Sequence, residues 1–380
     1  MKKLFFSLSL LAFVAGLFCA CENDDTDFSA YINGTATSVS TIYITYNGTS
    51  ATVTGTDNAE VTISGAHVTI NTGSNADSLL LVLSGSTTDG SLLVYRQRKY
   101  GLRLNGVSIT NPAGPAINNQ CGKSLYVEVA AGTTNSLSDG TAYTEQSYDQ
   151  KGTLFSEGQI IFSGTGELAV NGNCKHAIAC DDYIVFDEAT LTAATTTGSG
   201  IKVNDGLWIN GGKLSISTTA TGGRGIRCDS VVVVSGGTTT ITTSGGCKIE
   251  TVDGQPDTTS AACIRCDYPF TMTGGALTMT SSGDGGKGIN CSQDIVVSGG
   301  TFVAQTTGGN DQGKPKAVKS DTGIIVSGGS FTARVSKSWA CDNGYEDDTL
   351  SDSELAQKRI TIKGTPASSS IAKKEVIVSF

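Results

Sequence analysis

The sequence predicts an all-β chain wound as a parallel β-helix, a solenoid with about 23–25 residues per rung. Three observations carry this expectation. A small residue followed by an aliphatic anchor recurs as Ala177-Ile178, Gly200-Ile201, Gly225-Ile226, Cys263-Ile264, Gly288-Ile289 and Ala317-Val318, in steps of 23, 25, 38, 25 and 29 residues. A unit of this period marks a repeat architecture, with the longer steps holding loops such as 248–259. Within the units apolar residues alternate with period two, as in Leu207/Ile209 then Leu214/Ile216, and Phe270/Met272 then Leu277/Met279, which is the spacing of strands. Most units also carry a Gly-Gly, from Gly211-Gly212 to Gly328-Gly329, and 48 Gly against 6 Pro fits a turn at every corner. One unit cannot bury its apolar face alone, whereas coils stacked about 4.8 Å apart merge those faces into one core.

In chain order, residues 1–21 read as a lipoprotein signal region: Lys2-Lys3, an apolar run over 4–18, then Cys19-Ala20-Cys21. The run is too short and wrongly flanked for a membrane-spanning helix. Ala20 before Cys21 makes Cys21 the expected lipidated residue, since Cys19 follows bulky Phe18; Phe18 in place of the usual Leu leaves a plain secretory signal open. Glu22-Asn23-Asp24-Asp25 resembles the acidic signal that sends lipoproteins to the outer face in some Gram-negative anaerobes, or else is a solvated tether. The expected location is therefore the outer membrane, lipid-anchored and facing the exterior. Residues 22–60 follow as tether and N-terminal cap strands, 61–335 as the β-helix, and 336–380 as an acidic loop with capping strands. No Pro-rich or Ser-rich linker divides the chain, which reads as one domain. Its net charge of −9 argues against nucleic acid and against an anionic membrane surface as partners.

Eleven cysteines would ordinarily suggest disulfides in an exported protein. Here Cys180, Cys228, Cys266 and Cys291 share one column two residues after the aliphatic anchor, with Val203 and Ser320 taking its place elsewhere. Same-face spacing puts this column inside as a ladder of small hydrophobes. Cys263-Ile264-Arg265-Cys266 has no second pair and no nearby His, which argues against zinc. Cys247 and Cys263 bracket the longest insertion, and whether they are bridged stays open.

More specific than composition are Leu104-Asn105-Gly106-Val107-Ser108-Ile109, Gly114-Pro115-Ala116-Ile117, 132–140 (GTTNSLSDG) and 164–178 (GTGELAVNGNCKHAI). With these ordered motifs the chain, over roughly 61–332, resembles the carbohydrate-binding β-helix proteins first described from a clostridial cellulose degrader, a family distantly similar to polysaccharide lyases of the pectate type. The resemblance implies a right-handed parallel β-helix, affinity for plant polysaccharides including acidic ones, and bound calcium. Asp181, Asp182, Asp229 and Asp267 are the candidate metal ligands. Relatives often carry acidic residues just before the Gly-Ile element; here those positions read His176, Ser199, Arg224, Ala262, Lys287 and Lys316.

No Ser/His/Asp spacing, His-Glu-x-x-His or phosphate loop is present, and His176, at a repeat corner, reads as a structural hydrogen-bonding residue. Asp181 and Asp182 are neighbours on a strand and point to opposite sides, unlike the two carboxyl groups that glycoside hydrolysis sets about 5–9.5 Å apart across one bond. A lyase would need calcium and a basic residue to take the proton, for which Lys202, Arg227, Arg265 and Lys319 are candidates.

Those same four residues, with Asn290, fall between an inward aliphatic residue and the inward cysteine column, so they line up on the outside of successive rungs. One reading is a track for an anionic polysaccharide; the other is a surface neutralised by Asp181, Asp229, Asp267 and Asp321 two residues along. Trp208 also faces outward, in a column with Val185, Val233, Thr271, Val296 and Ile325, as a stacking platform for a neutral sugar or a packed surface residue. Trp339 precedes an acidic loop, 342–348, that is either a calcium site or solvated. The function expected is a surface-exposed lipoprotein that binds polysaccharide, acidic or neutral, without catalysis. The alternatives are a calcium-dependent polyuronate lyase and a structural surface adhesin with a protein partner.

Overall fold

The computed structural model describes residues 39–56, 59–73, 78–252 and 254–380; the leader, Cys21 and the acidic run after it lie outside the described residues. The chain winds as a parallel β-helix of about 11 turns. One face is a sheet of twelve strands in strict chain order, ending with Trp339–Asp342. Two further strand series flank it, joined into a 23-stranded sheet by long N-terminal strands such as Ser78–Thr87 and Tyr100–Asn111. A complete turn is Arg224–Cys228 on the first sheet, Val232–Val234 on the second series and Thr238–Thr243 on the third.

The recurring small-aliphatic pair has a steric cause. A Cβ on Gly225 would stand 2.1 Å from Ile241 Cγ2, and one on Gly200 2.4 Å from Ile216 Cγ2, both interior atoms of the third series. The small residue and the aliphatic residue after it therefore both turn inward, breaking the alternation at that point. The consequence is that the residue before the pair turns away from the core but stays largely covered, Ala262, Lys287 and Lys316 being 1%, 8% and 6% exposed. The Gly-Gly corner is equally constrained: Gly237 has φ +69°, and a Cβ on Gly236 would meet the Asn210 carbonyl at 2.1 Å. Any side chain at either position would push the turns apart.

Stacking is in register over the whole repeat: Ile178, Ile201, Ile226, Ile264, Ile289 and Val318 oppose one another on successive turns. Phe162 stacks on Phe186 at 4.8 Å and Phe302 on Phe331 at 4.9 Å within the core. The cysteine column is interior, running Cys180, Val203, Cys228, Cys266, Cys291, Ser320 with every cysteine at most 1% exposed. Burial pushes the Cys228 thiol up to about 12, so it behaves as a small hydrophobe that also donates to the Val231 carbonyl at 3.3 Å.

Cys247 and Cys263 are both free. Cys263 occupies the inward small-residue position and donates to the Ile241 carbonyl at 3.5 Å, while the Cys247 thiol faces Ser260 Oγ at 3.8 Å. The insertion between them closes as its own antiparallel hairpin, Lys248–Val252 with Gln255–Thr259.

The parallel stack also begins earlier than residue 61, because Val39–Asn47 already pairs in parallel with Ser78–Thr87. At the far end a short helix, Asp352–Lys358, is capped by Ser351. Glu375–Ser379 runs antiparallel to Ser330–Val335, and Ser368–Ile371 pairs with it in turn. That reversal ends the parallel stack, which would otherwise present an open edge.

Candidate functional site

The outer face of the first sheet carries two columns of side chains. Lys202, Arg227, Arg265, Asn290, Lys319 and Asp342 oppose one another on consecutive turns, with Ala179 ahead of Lys202. The alignment expected for the four basic residues and Asn290 is therefore present. Each cation holds a carboxylate: Lys202 Nζ meets Asp229 at 2.5 Å, Arg227 Nε the same Asp229 at 3.3 Å, Arg265 Nη2 Asp267 at 2.7 Å and Lys319 Nζ Asp321 at 2.5 Å. Although burial acts the other way, the ammonium of Lys202 and the guanidinium of Arg227 hold the Asp229 carboxyl below the usual range.

The second column is the residue turned away from the core before each small-aliphatic pair. It runs Arg224, Ala262, Lys287, Lys316 and Trp339. Upstream, His176 accepts from the Ser199 amide through Nδ1 at 2.9 Å; burial and the nearby Lys202 and Arg227 push its imidazole down to about 4, so it is a neutral turn acceptor. Lys316, 6% exposed, meets Asp342 at 2.5 Å, and Arg359 reaches the same carboxylate at 3.1 Å. Arg359 and Lys373 also lie over the Trp339 ring, at 4.3 and 4.9 Å from its centre. Lys287 meets no carboxylate among the described residues. Its ammonium donates to Ser260 Oγ at 2.5 Å and to the Gly285 carbonyl at 3.2 Å, and burial pushes it down to about 8.

Arg224 has no carboxylate either, and its buried Nε finds no acceptor among the described residues. Sequence reasoning noted Arg224, Lys287 and Lys316 only as places where calcium-binding acids are missing. Their alignment as a second cationic column follows from the inward double turn at the small-aliphatic pair, which strict alternation does not reveal.

Trp208 lies on the second series, opposite Val185 and Val233, and so on a different face from both columns. Its indole folds back over Gly206, where a Cβ would sit 2.5 Å from Cη2, and meets Tyr183 edge-on at 5.7 Å. The structure does not bring Trp208 together with Lys202, Arg227, Arg265 and Lys319.

Nor does it bring the four candidate metal ligands together. Asp229 and Asp267 are bound to the cations above. Asp182 accepts from the Tyr183 amide at 2.9 Å and from the Gln159 side chain. Asp181 alone joins an acidic group, with Asp149 and Glu157, whose ligand atoms lie within 4.8 Å of one another. Lys151 Nζ stands 2.6 Å from Asp149 and 2.5 Å from Asp181, so an ammonium already holds the place of a cation. The residues present do not fit a calcium cage of several free oxygen ligands. In the 342–348 loop, Asp342 is taken by Lys316 and Arg359, and Asp347 by the amide and hydroxyl of Thr349.

A family model described as carbohydrate-binding domain-containing protein matches residues 64–230 and 218–313. A protein of the same description from Acetivibrio thermocellus is 29% identical over 118 residues, a stretch that takes in 30% of this chain and 41% of that relative. Among solved structures, that of the polysaccharide lyase-like protein from C. thermocellum, a gadolinium derivative, superposes with a TM-score of 0.55 at 22% identity, covering 68% of this chain and 96% of that one. That likeness is one of fold.

Proposed function

Because the chain belongs to the family of carbohydrate-binding domain-containing proteins, we propose that it binds an acidic polysaccharide along the outer face of its first sheet without cleaving it. One observation carries this reading: on a chain whose net charge is −9, cations line up along the first sheet in two columns, Lys202, Arg227, Arg265 and Lys319 interrupted at Asn290, and Arg224, Lys287 and Lys316 interrupted at Ala262. Guanidinium and ammonium groups at strand spacing suit a polymer with repeated carboxylates. A rigid sheet loses little conformational entropy when it accepts one, so weak contacts sum effectively along the track.

Binding without turnover is supported by the state of the four candidate bases. Lys202, Arg227, Arg265 and Lys319 are each committed to a carboxylate, whereas proton abstraction needs a free base within reach of the substrate. The apolar leader and Cys21 support a lipid anchor in the outer membrane, and the acidic residues after Cys21 support exposure to the exterior. Cys21→Ser is expected to release the protein from the membrane fraction. Wild type found unmodified in the medium would refute the anchor.

The test of ligand class is a glycan array on the mature chain, with and without chelator and at two salt concentrations. Retention of polygalacturonate or another polyuronate is expected, weakened by salt and unaffected by chelation. Retention of neutral glycans alone would overturn the acidic reading, and release of unsaturated uronate products would overturn the non-catalytic one.

A further inference from the structure

The two columns converge on three consecutive turns: Arg224 with Arg227, then Ala262 with Arg265, then Lys287 with Asn290. Ala262 contributes only a methyl between Arg224 and Lys287, which stand two turns apart, roughly 9–10 Å along the stack. The hairpin insertion enters at this level, with Lys248 and Thr259 packed on Gly222 and Ser260 holding the Lys287 ammonium. Two buried polar atoms here have no partner among the described residues, Arg224 Nε and Asn290 Oδ1. They are opposite in kind: the first needs an acceptor and the second a donor.

We infer that Arg224, Lys287 and Asn290 form a subsite for a single hexuronate residue, whose carboxylate accepts from Arg224 and Lys287 while a ring hydroxyl donates to Asn290 Oδ1. The chemistry of the unmet groups selects this ligand. A simple anion would satisfy Arg224 and leave Asn290 Oδ1 without a donor. A neutral sugar would supply the hydroxyl and leave two cations without a counter-charge. A uronic acid carries both groups on one ring.

Lys287 uses two of its three N–H groups on Ser260 and Gly285, so one remains for a ligand. Arg265, between them, is already held by Asp267 and by Ser292 Oγ, and acts as a wall. Burial lowers both groups first; Arg227 and Arg265 then lower Arg224 further, while for Lys287 the opposing influence of Cys247 is set against Lys319 and Lys316, and both accord with a place that gains from an incoming anion.

This inference rests on the polyuronate reading, and the experiment separates the two. Calorimetry on the mature chain would compare trigalacturonate with its methyl ester, for wild type, Arg224→Gln, Asn290→Ala and Lys213→Gln. Lys213 lies on the third series, so its variant removes one positive charge from another face. Wild type is expected to prefer the acid. Arg224→Gln should weaken acid binding about tenfold or more and leave the ester unchanged, as removal of a charge-assisted contact requires. Asn290→Ala should weaken both ligands about threefold to tenfold, the loss of one neutral hydrogen bond. Lys213→Gln should change neither by more than about twofold.

Should Arg224→Gln fail to fold, Arg224→Lys keeps the charge and removes the fork, and should lose part of the acid preference. Equal effects of Arg224→Gln and Lys213→Gln, or equal wild-type affinity for acid and ester, would overturn the subsite. Wild type that binds no trigalacturonate at all would overturn the polyuronate reading and the subsite with it. Wild type that binds it, alongside Arg224→Gln and Asn290→Ala of unchanged affinity, would remove the subsite alone.

Discussion

The two columns on the first sheet are built from the same residue types and behave differently. In the column of Lys202, Arg227, Arg265 and Lys319, the side chains are 15%, 45%, 26% and 31% exposed, and each has an aspartate as partner, its own neighbour on the strand or, for Lys202, Asp229 of the next turn. In the column of Arg224, Lys287 and Lys316, the two lysines are only 8% and 6% exposed, and among the described residues only Lys316 has a carboxylate, borrowed from the last turn. The difference teaches where charge is locally balanced and where balance depends on distant residues or on a ligand. Exposed, locally paired cations contribute little to stability and can exchange partners readily. Buried cations without local partners are costly to hold, and their neighbourhoods are where a ligand changes most.

The sharpest break of that comparison is Asp342→Ala. It would leave Lys316 and Arg359, 6% and 4% exposed, without their shared carboxylate, and removing one partner of a buried group of this kind costs about 3–5 kcal/mol. A correspondingly lower midpoint in denaturant, with unchanged slope, is the expected outcome. Burial alone would raise the Asp342 carboxyl, but the Lys316 ammonium and Arg359 outweigh it and hold it below its ordinary value of 3.8. The stability it supplies is therefore present above that value and is lost as pH falls through the lowered folded pKa. The same acid-side loss should be absent in Asp342→Ala.

Lys287→Met is the next effect in size and has the opposite sign. The lysine is pushed down from 10.5 to about 8 by burial, so the folded chain binds fewer protons than the unfolded one between those values. Wild-type stability should accordingly rise with pH across that window, with the full cost of the buried charge present below about pH 8. Replacing it with an uncharged side chain of similar length should stabilise the fold at neutral pH by about 2 kcal/mol. The rise in stability between about pH 8 and 10.5 should vanish with it. A variant less stable than wild type at pH 7 would show that the bond to Ser260 outweighs the desolvation of the ammonium.

Much of this architecture was legible in the sequence because solenoid stacking makes each position answer to a column. The interior cysteines, the outward alignment of Lys202 through Lys319 and the turn role of His176 all follow from period-two alternation repeated at a constant interval. What alternation misses is the place where it breaks. Gly225 and Ile226 both point inward because Ile241 fills the space above Gly225, and only that contact between two series puts Arg224 on the same face as Arg227. Whether Cys247 and Cys263 are bridged stays open in the sequence for a related reason: both are free in the fold, Cys263 taking the inward position that Gly225 takes one turn earlier and donating to the Ile241 carbonyl. Trp208 and the basic residues face outward alike, but one period-two pattern does not say which of three faces is meant. Asp181, Asp182, Asp229 and Asp267 are cation-ligand candidates in the sequence; the engagement of Asp181, Asp229 and Asp267 by lysines and arginines, and of Asp182 by Gln159, depends on side-chain reach that no spacing rule supplies.

The smallest effect on stability belongs to Asp267→Ala, and it tests the comparison from the side of the ligand. Asp267 and Arg265 are 42% and 26% exposed along their side chains, so their ion pair is worth less than about 1 kcal/mol, and the melting behaviour should scarcely move. Arg265 would keep its bonds to the Cys266 carbonyl and Ser292 Oγ at 3.1 and 3.0 Å, so its guanidinium stays in place while losing its built-in counter-ion. If Asp267 competes with a uronate carboxylate for that guanidinium, polygalacturonate should bind about threefold to tenfold more tightly, with a steeper loss at high salt. Titration at two salt concentrations distinguishes this from a general change in net charge, for which Glu375→Ala beside Arg334 on the third series provides the matched comparison on another face. Weaker binding by Asp267→Ala would mean that the carboxylate takes part in recognition, accepting a sugar hydroxyl, and that the paired column is a finished binding surface and not a masked one.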